Sequence, residues 1–153
     1  MSIMNMTDED FMSEALELAH KGKQHGEVPV GAVVVLEGAV IGRGFNRPIM
    51  QQDPTAHAEV VALRSAALTM GNYRLVDTTL YVTLEPCLMC LGAMIHARVS
   101  RVVFGASDTR LGTTKHLLSD CDHRWMGRDL QYEGGVLQDE CSQLLKDFFK
   151  QKR

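Results

Sequence analysis

The sequence predicts an α/β domain built on a mixed β-sheet, and two observations carry that prediction. Helical and strand-like patterns alternate along most of the chain, as they do in α/β folds. The strand-helix-strand run over residues 79–105 needs a crossover connection, so its strands should be parallel, whereas a hairpin over 30–42 adds antiparallel strands. A chain of 153 residues fits a single domain, 1–153, with a sizeable core.

The composition is that of an ordinary globular protein. Hydrophobic residues make up 45% and charged residues 23% of the chain. No apolar run approaches the roughly 20 residues that span a bilayer, so we expect no membrane association. Residues 1–10 lack a basic start followed by an apolar run, which favours a cytoplasmic location. The net charge of -3 argues against nucleic-acid binding through overall charge, yet basic residues gather at the end of the chain: Lys146, Lys150, Lys152 and Arg153.

The first predicted element is a helix over residues 8–23. Thr7 and Asp10 have the spacing of a capping box, with Asp in place of the usual Glu. Apolar residues then recur at helical spacing, which indicates one buried face.

A hairpin and a loop are predicted next. The β-branched run 30–36 reads as a strand, Glu37-Gly38 is a turn signal, and 39–42 supplies the returning strand. Residues 46–54 contain two prolines and several polar residues, so we expect a loop there.

The second long helix should contain the sequence Thr-Ala-His-Ala-Glu. Asp53 and Pro54 have the residue types of an N-cap and a first helical position, and Gly71 has that of a C-terminal cap. We therefore predict a helix that starts at Asp53-Pro54 and ends near Met70.

The remaining elements are short, and residues 107–129 show no period strong enough to assign. Strands are predicted over 79–83, 101–105 and 131–137, and a helix over 87–97, with Pro86 suited to open it. A closing amphipathic helix is indicated by its apolar residues: Cys141, Leu144, Leu145, Phe148 and Phe149.

Cys87 and Cys90 are the strongest chemical signal in the chain. Residues three apart at a helix start project within about 60° of each other, so both sulfurs can reach one ion. A Cys-x-x-Cys pair alone is equally compatible with redox chemistry or with simple core cysteines. His57 is the best candidate for a third ligand, and one His with two Cys would leave the fourth tetrahedral position of zinc open, as in catalytic sites.

Glu59 is the candidate proton carrier beside that site. A carboxylate that accepts a proton from water at the open position, and later returns it, would complete a hydrolytic apparatus. His57 and Glu59 are two residues apart, about 200° around a helix, so they cannot both bind one ion from its flank. This favours a site at the N-terminal end of the helix, with Glu59 outside the ligand set.

His-x-Glu together with Pro-Cys-x-x-Cys is the pattern of zinc-dependent nucleobase deaminases. The chain further resembles the bacterial tRNA-specific adenosine deaminases of the cytidine/deoxycytidylate deaminase superfamily, from about residue 10 to 104 and again in the last helix. The segments that carry the resemblance are EVPVGA at 27–32, NRP at 46–48, DPTAHAE at 53–59, NYR at 72–74, LYVTLEPC at 80–87 and GAMIH at 92–96.

The resemblance implies a cytidine-deaminase-like, three-layer α/β/α fold with about five strands, a homodimer, and one Zn²⁺ per chain. It also implies conversion of adenosine to inosine at the wobble position of a tRNA anticodon stem-loop. His57, Cys87 and Cys90 would bind the metal, and Glu59 would transfer protons.

Five further residues acquire expected substrate contacts from the same resemblance. Asn46 would hydrogen-bond the base, with Val28 and Leu84 shaping the pocket, although a turn residue and core residues explain the same pattern. Asp108 matches a position near the nucleotide backbone, and a loop-capping role competes. Phe149 would contact RNA beside the basic C-terminal residues, although it or its neighbour Phe148 fits a core stripe equally well. Residues 110–125 depart from the family pattern.

Two other functions stay open at this point. The zinc site could act on a free base or nucleoside, such as cytosine or guanine. A non-catalytic zinc or RNA-binding module would need no Glu59, since a structural site gains nothing from a carboxylate beside an open coordination position.

Overall fold

The structure is a computed structural model that describes residues 5–110 and 130–152. Within these ranges a five-stranded mixed sheet is covered by helices on both faces, as predicted. The elements in chain order are α1 Asp8–Gln24, β1 Gly31–Leu36, β2 Ala39–Phe45, α2 Pro48–Gln51, α3 Ala58–Met70, β3 Thr79–Leu84, α4 Leu88–His96, β4 Arg101–Ala106, β5 Gln131–Glu133 and α5 Gln138–Gln151.

The strand order is β2-β1-β3-β4-β5. β1 pairs antiparallel with both β2 and β3, whereas β3 with β4 and β4 with β5 are parallel. The crossover expected over 79–105 is therefore confirmed, with α4 as its helix. The hairpin turn is also confirmed: Glu37 and Gly38 have φ of 50° and 78°, the left-handed values that its tight turn requires.

Two apolar clusters hold the three layers together. On one face α1 and α5 pack against the sheet through buried side chains that include Met12, Val33 and Cys141. On the other face α3 and α4 pack through a cluster that includes Ala62, Leu80 and Met94. Parallel strands buried on both faces favour near-continuous apolar runs, such as Val102-Val103-Phe104 in β4.

β2 lies unusually close to α3 because two of its residues are glycines. A Cβ on Gly42 would meet Ala62 O at 2.5 Å, and a Cβ on Gly44 would meet Ala58 O at 2.5 Å and Ala62 N at 2.6 Å. The backbones of the strand and the helix therefore touch directly. This contact positions the first turn of α3.

The capping box predicted for α1 is present. Thr7 N–H donates to Asp10 Oδ2 at 2.8 Å, and Asp10 N–H donates to Thr7 Oγ1 at 3.2 Å. Asp8, in the same turn, accepts from Arg101 Nη2 at 2.7 Å. Arg101 Nε in turn donates to Glu133 at 2.7 Å, so one guanidinium joins α1, β4 and β5.

The prediction that α3 starts at Asp53-Pro54 is wrong. Asp53 Oδ1 accepts from both the N–H and the hydroxyl of Thr55, at 2.9 and 2.7 Å, and so forms a local turn. The helix begins at Ala58 with His57 as its N-cap residue. Similarly, Pro86 does not open α4, which begins at Leu88 with Cys87 as its N-cap residue.

Two other predictions need adjustment. The loop expected over 46–54 contains the short helix α2, and its C-cap residue Gln52 is left-handed. β5 is three residues long, since Gly134-Gly135 follows it and Gly135 has φ of 97°. The unassigned stretch 107–129 and the atypical stretch 110–125 fall largely outside the described residues.

Among the described helices, none combines the length and apolar character needed to cross a membrane.

Candidate active site

Three side chains from two helix starts converge beside the sheet. His57 and Cys87 are N-cap residues with extended backbones, and Cys90 lies in the first turn of α4. His57 Nδ1 is 3.7 Å from Cys87 Sγ and 3.4 Å from Cys90 Sγ. Within the described residues this is the one group of three or more His, Cys, Asp or Glu side chains whose atoms could hold a metal ion.

The spacing of these atoms fits zinc. With Zn–S near 2.3 Å and Zn–N near 2.0–2.1 Å, a tetrahedral site places nitrogen and sulfur about 3.6 Å apart. The two observed distances, 3.4 and 3.7 Å, bracket that value. One imidazole and two sulfurs are also the donor set that zinc accepts while keeping a position open.

The electrostatics of the three side chains favour the thiolate form of Cys87. Hydrogen bonds from Cys90 and then from His57 lower the pKa of Cys87 to about 4. The hydrogen bond to Cys87, opposed by burial, raises the pKa of His57. The hydrogen bond with Cys87 and burial raise the pKa of Cys90. Its thiol would have to lose the proton to bind a metal ion.

Glu59 lies one residue inside α3 and is 4% exposed. Burial raises its pKa to about 7, which means that this carboxyl can both accept and release a proton near neutral pH. It lines a cavity of about 160 Å³ together with His57 and Cys87. The sequence expectation that Glu59 and His57 meet at the start of one helix matches this arrangement.

Asn46 lines the same cavity. Its Oδ1 accepts a hydrogen bond from Ala58 N–H at 2.7 Å, so it caps α3 from a distant part of the chain. Because the carbonyl oxygen is used in this way, the amide nitrogen of Asn46, a donor, is the atom available to a ligand.

Glu27 supports the loop that carries Asn46, and sequence reasoning missed it. Its side chain is 1% exposed, and its two carboxylate oxygens accept from Ile49 N–H at 3.3 Å and Met50 N–H at 2.8 Å. A carboxylate immediately before the apolar run Val28-Pro-Val was the available signal, since buried carboxylates need partners.

A second, wider cavity of about 590 Å³ adjoins the first. Val28, Leu84 and Asp108 line both, so these three predicted residues lie where the two cavities meet. Phe149 lines the wider one with Lys146 and Lys150.

The two phenylalanines at the end of α5 differ in exposure. Phe148 is 7% exposed and belongs to the core, whereas Phe149 is 45% exposed. The structure therefore resolves which phenylalanine faces outward. Phe149 meets Phe148 edge-on at 5.3 Å between ring centroids, which holds the exposed ring in place.

Comparison with known proteins places this site in a family. The family model described as "Cytidine and deoxycytidylate deaminase zinc-binding region" matches residues 5–106. Two curated relatives are named tRNA-specific adenosine deaminase. The one from Haemophilus influenzae is 51% identical over 95% of this chain and 85% of its own, and the one from Bacillus subtilis is 41% identical over 95% and 91%.

Solved structures of other deaminases are also similar to this chain. A structure from work on A-to-I editing by tRNA deaminases at the wobble position of transfer RNA has a TM-score of 0.78 at 37% identity, covering 88% of this chain and 98% of that one. A guanine deaminase from Bacillus subtilis has a TM-score of 0.64 at 40% identity, covering 80% and 75%. The chain therefore belongs to the zinc-binding cytidine and deoxycytidylate deaminase family, and within it to the tRNA-specific adenosine deaminases.

Proposed function

We propose that this protein hydrolyses adenosine to inosine at the wobble position of a tRNA anticodon, with release of ammonia. The observation that carries the proposal is a small cavity with zinc-type donors and a buried carboxyl, opening into a wide cavity edged by lysines and an exposed phenylalanine. The small cavity suits one base, and the wide one suits the strand that carries it.

His57, Cys87 and Cys90 would hold one zinc ion, consistent with their spacing and with the family match. Zinc bound there supplies the Lewis acidity that makes water nucleophilic near neutral pH. The three residues themselves fix the direction from which water meets the base, because two of them are anchored at helix starts.

Glu59 is the proton carrier in this mechanism. Its pKa of about 7 lets it take a proton from water and pass it to a ring nitrogen of adenine. It would then take the remaining proton of that water, now the hydroxyl on C6, and give it to the amino group, which leaves as ammonia while the C6 oxygen becomes a carbonyl. Its burial keeps bulk water away from those transfers.

Asn46, Val28 and Leu84 would hold the base. The amide nitrogen of Asn46 can donate to an unprotonated ring nitrogen, and the two apolar side chains provide surfaces against which the ring packs. Because a base inside a duplex is out of reach, the substrate base must be unstacked, as anticodon-loop bases can be.

The wide cavity would receive the anticodon stem-loop. Phe149 offers an exposed ring for stacking, Lys146 and Lys150 offer contacts to phosphate, and Asp108 lies at the junction of the two cavities. A tRNA substrate further favours a cytoplasmic location.

A homodimer is part of the proposal. Tyr73, which is 65% exposed, lines an open groove between α3 and α4 together with Ala93. Leu68, which is 85% exposed, lines a neighbouring groove with Tyr73. Burying such a surface against a second copy would remove it from water.

One alternative has an observation behind it, since guanine deaminases are among the structural neighbours. A free base would need only the small cavity and would make no use of Phe149 or the lysines. The non-catalytic module is not favoured, because the curated relatives are named as enzymes.

The testing experiment is a deaminase assay that compares an anticodon stem-loop with free adenosine, cytidine and guanine, run on the zinc-loaded protein and on Glu59→Ala. We expect turnover of the stem-loop alone, and we expect Glu59→Ala to keep its zinc while losing a factor of about 10²–10⁴ in rate. Preferential turnover of guanine would contradict the proposal that the substrate is a tRNA. Comparable turnover by Glu59→Ala would remove Glu59 from the mechanism.

A further inference from the structure

Glu85, a buried carboxylate, lies beside the candidate active site, and the proposed mechanism does not use it. It directly follows β3, and it is 5% exposed. Its N–H donates to Ala106 O at 2.8 Å, which extends the parallel pairing of Leu84 with Ala106 beyond the end of β3. The side chain therefore starts from a fixed backbone position.

The carboxylate of Glu85 reaches the loop that follows β4. Its Oε1 accepts a hydrogen bond from Asp108 N–H at 3.0 Å. Asp108 Oδ1 in turn accepts from Arg110 N–H at 2.9 Å, so the loop turns back immediately after the residue that Glu85 holds. A hydrogen bond from a backbone N–H to a carboxylate is among the stronger kinds, and burial strengthens it further.

This loop stands between the two cavities. Asp108 lines both the small cavity with Glu59 and the wide cavity with Phe149, whereas Glu85 lines only the small one. A shift of the backbone at Asp108 would change the passage between them. The hydrogen bond between Asp108 and Glu85 thus fixes the loop that a base must pass to enter the small cavity.

We propose that Glu85 is a positioning residue, which holds the loop at 107–110 so that an RNA strand in the wide cavity presents its base to Glu59. This inference rests on the proposed function for the identity of the substrate. The role needs an oxygen acceptor at this place, and it needs no proton transfer by Glu85.

Two substitutions distinguish a positioning role of Glu85 from a direct role in the reaction. Glu85→Gln keeps an oxygen that can accept from Asp108 N–H, and Glu85→Ala removes it. We expect Glu85→Ala to raise the KM for an anticodon stem-loop on the order of tenfold, the size of one lost hydrogen bond to a charged group, with a much smaller fall in kcat. Glu85→Gln should restore most of the loss.

Hydrogen exchange of the Asp108 amide, measured by NMR on the RNA-free, zinc-loaded protein, gives a readout that does not depend on activity. The amide should exchange slowly in wild type and in Glu85→Gln, and about tenfold or more faster in Glu85→Ala. The matched control is Thr78→Val, which removes the buried hydrogen bond of the Thr78 hydroxyl to Leu75 O at the opposite end of β3. It should lower the melting temperature without changing the Asp108 exchange or the KM.

Two outcomes would overturn the inference. Unchanged Asp108 exchange in Glu85→Ala would show that Glu85 does not hold the loop. A Glu85→Gln protein as defective as Glu85→Ala, with zinc content and melting temperature intact, would show that the charge of Glu85 acts in the chemistry. Failure of the wild-type protein to deaminate the stem-loop is a different result: it would overturn the proposed function, and the exchange measurement would still decide whether Glu85 fixes Asp108.

Discussion

Replacing Gly44 by alanine should disturb the active site through the first turn of α3. The added Cβ would lie 2.5 Å from Ala58 O, where an ordinary contact is at least 3.4 Å. Strand and helix must therefore separate by about 0.9 Å, the difference between these two distances, at the point where α3 begins. His57 and Glu59 flank Ala58, so both side chains move with it.

The expected effects follow from that displacement. Overpacking of this kind costs about 1–3 kcal/mol, and about 2 kcal/mol in a chain of this size corresponds to a fall of roughly 4–8 °C in melting temperature. A misplacement near 1 Å costs about 10²-fold in rate when it falls on groups that must align with a substrate. Gly44→Ala should therefore lose far more activity than its modest loss of stability would explain.

The assay pairs thermal melting with zinc content and kcat on the stem-loop, measured well below the melting temperature of the variant. Gly92→Ala is the matched control, because a Cβ at Gly92 meets nothing within 4 Å and the residue lies inside α4. That substitution should stabilise the chain by about 0.5–1 kcal/mol. If Gly44→Ala melts and turns over like wild type, direct strand-helix contact does not set the position of Glu59.

Three further substitutions test other parts of the molecule. Cys87→Ala should abolish stoichiometric zinc, and a protein that still bound about one ion per chain would remove Cys87 from the ligand set. Phe149→Ala should weaken stem-loop binding by about 1–3 kcal/mol while leaving zinc in place, and unchanged affinity in a gel-shift titration would argue against stacking there. The Arg101 hydrogen bond lowers the pKa of Asp8 in the folded state, so its stabilisation is full above the unfolded value, near 3.8, and is lost as the pH falls through the lower folded value. Denaturant unfolding should therefore show a stability gap between wild type and Asp8→Asn that is constant above about pH 5 and closes as the pH falls below it. A gap that widened on acidification would refute this account.

Local sequence signals predicted those parts of the fold whose stabilising contacts are also local. The capping box at Thr7, the left-handed turn at Glu37-Gly38 and the parallel crossover around α4 all follow from neighbouring residues, and all are present. The five-stranded mixed sheet between two helical layers also matches the expectation from the family resemblance.

The start of α3 could not be predicted because its cap comes from elsewhere in the chain. Asp53 has the right residue type for an N-cap, but its side chain is occupied by Thr55. The first N–H of the helix, that of Ala58, is satisfied instead by Asn46, which is twelve residues earlier. No local pattern distinguishes a carboxylate that caps a helix from one that closes a turn just before it.

The same distinction between local patterns and contacts with distant residues applies to the candidate site. The residue types and spacing of His57, Glu59, Cys87 and Cys90 were sufficient to expect one cluster, and the structure brings them together, although their roles stay predictions. Glu27 and Glu85 were not found, since each acts on a loop far along the chain and neither belongs to a motif with its own chemistry.

The position of His57 and Cys87 at two helix starts also bears on the order of assembly. Their donor atoms meet only where α3 and α4 pack on the same face of the sheet, through an apolar cluster that includes Ala62, Leu80 and Met94. Because this cluster contains many more residues than the metal group, we expect the chain to fold without the ion, unlike a zinc finger, in which the ion organises the chain. A chelator should therefore abolish the activity of this protein well before the protein unfolds. Returning zinc should then restore activity without a refolding step.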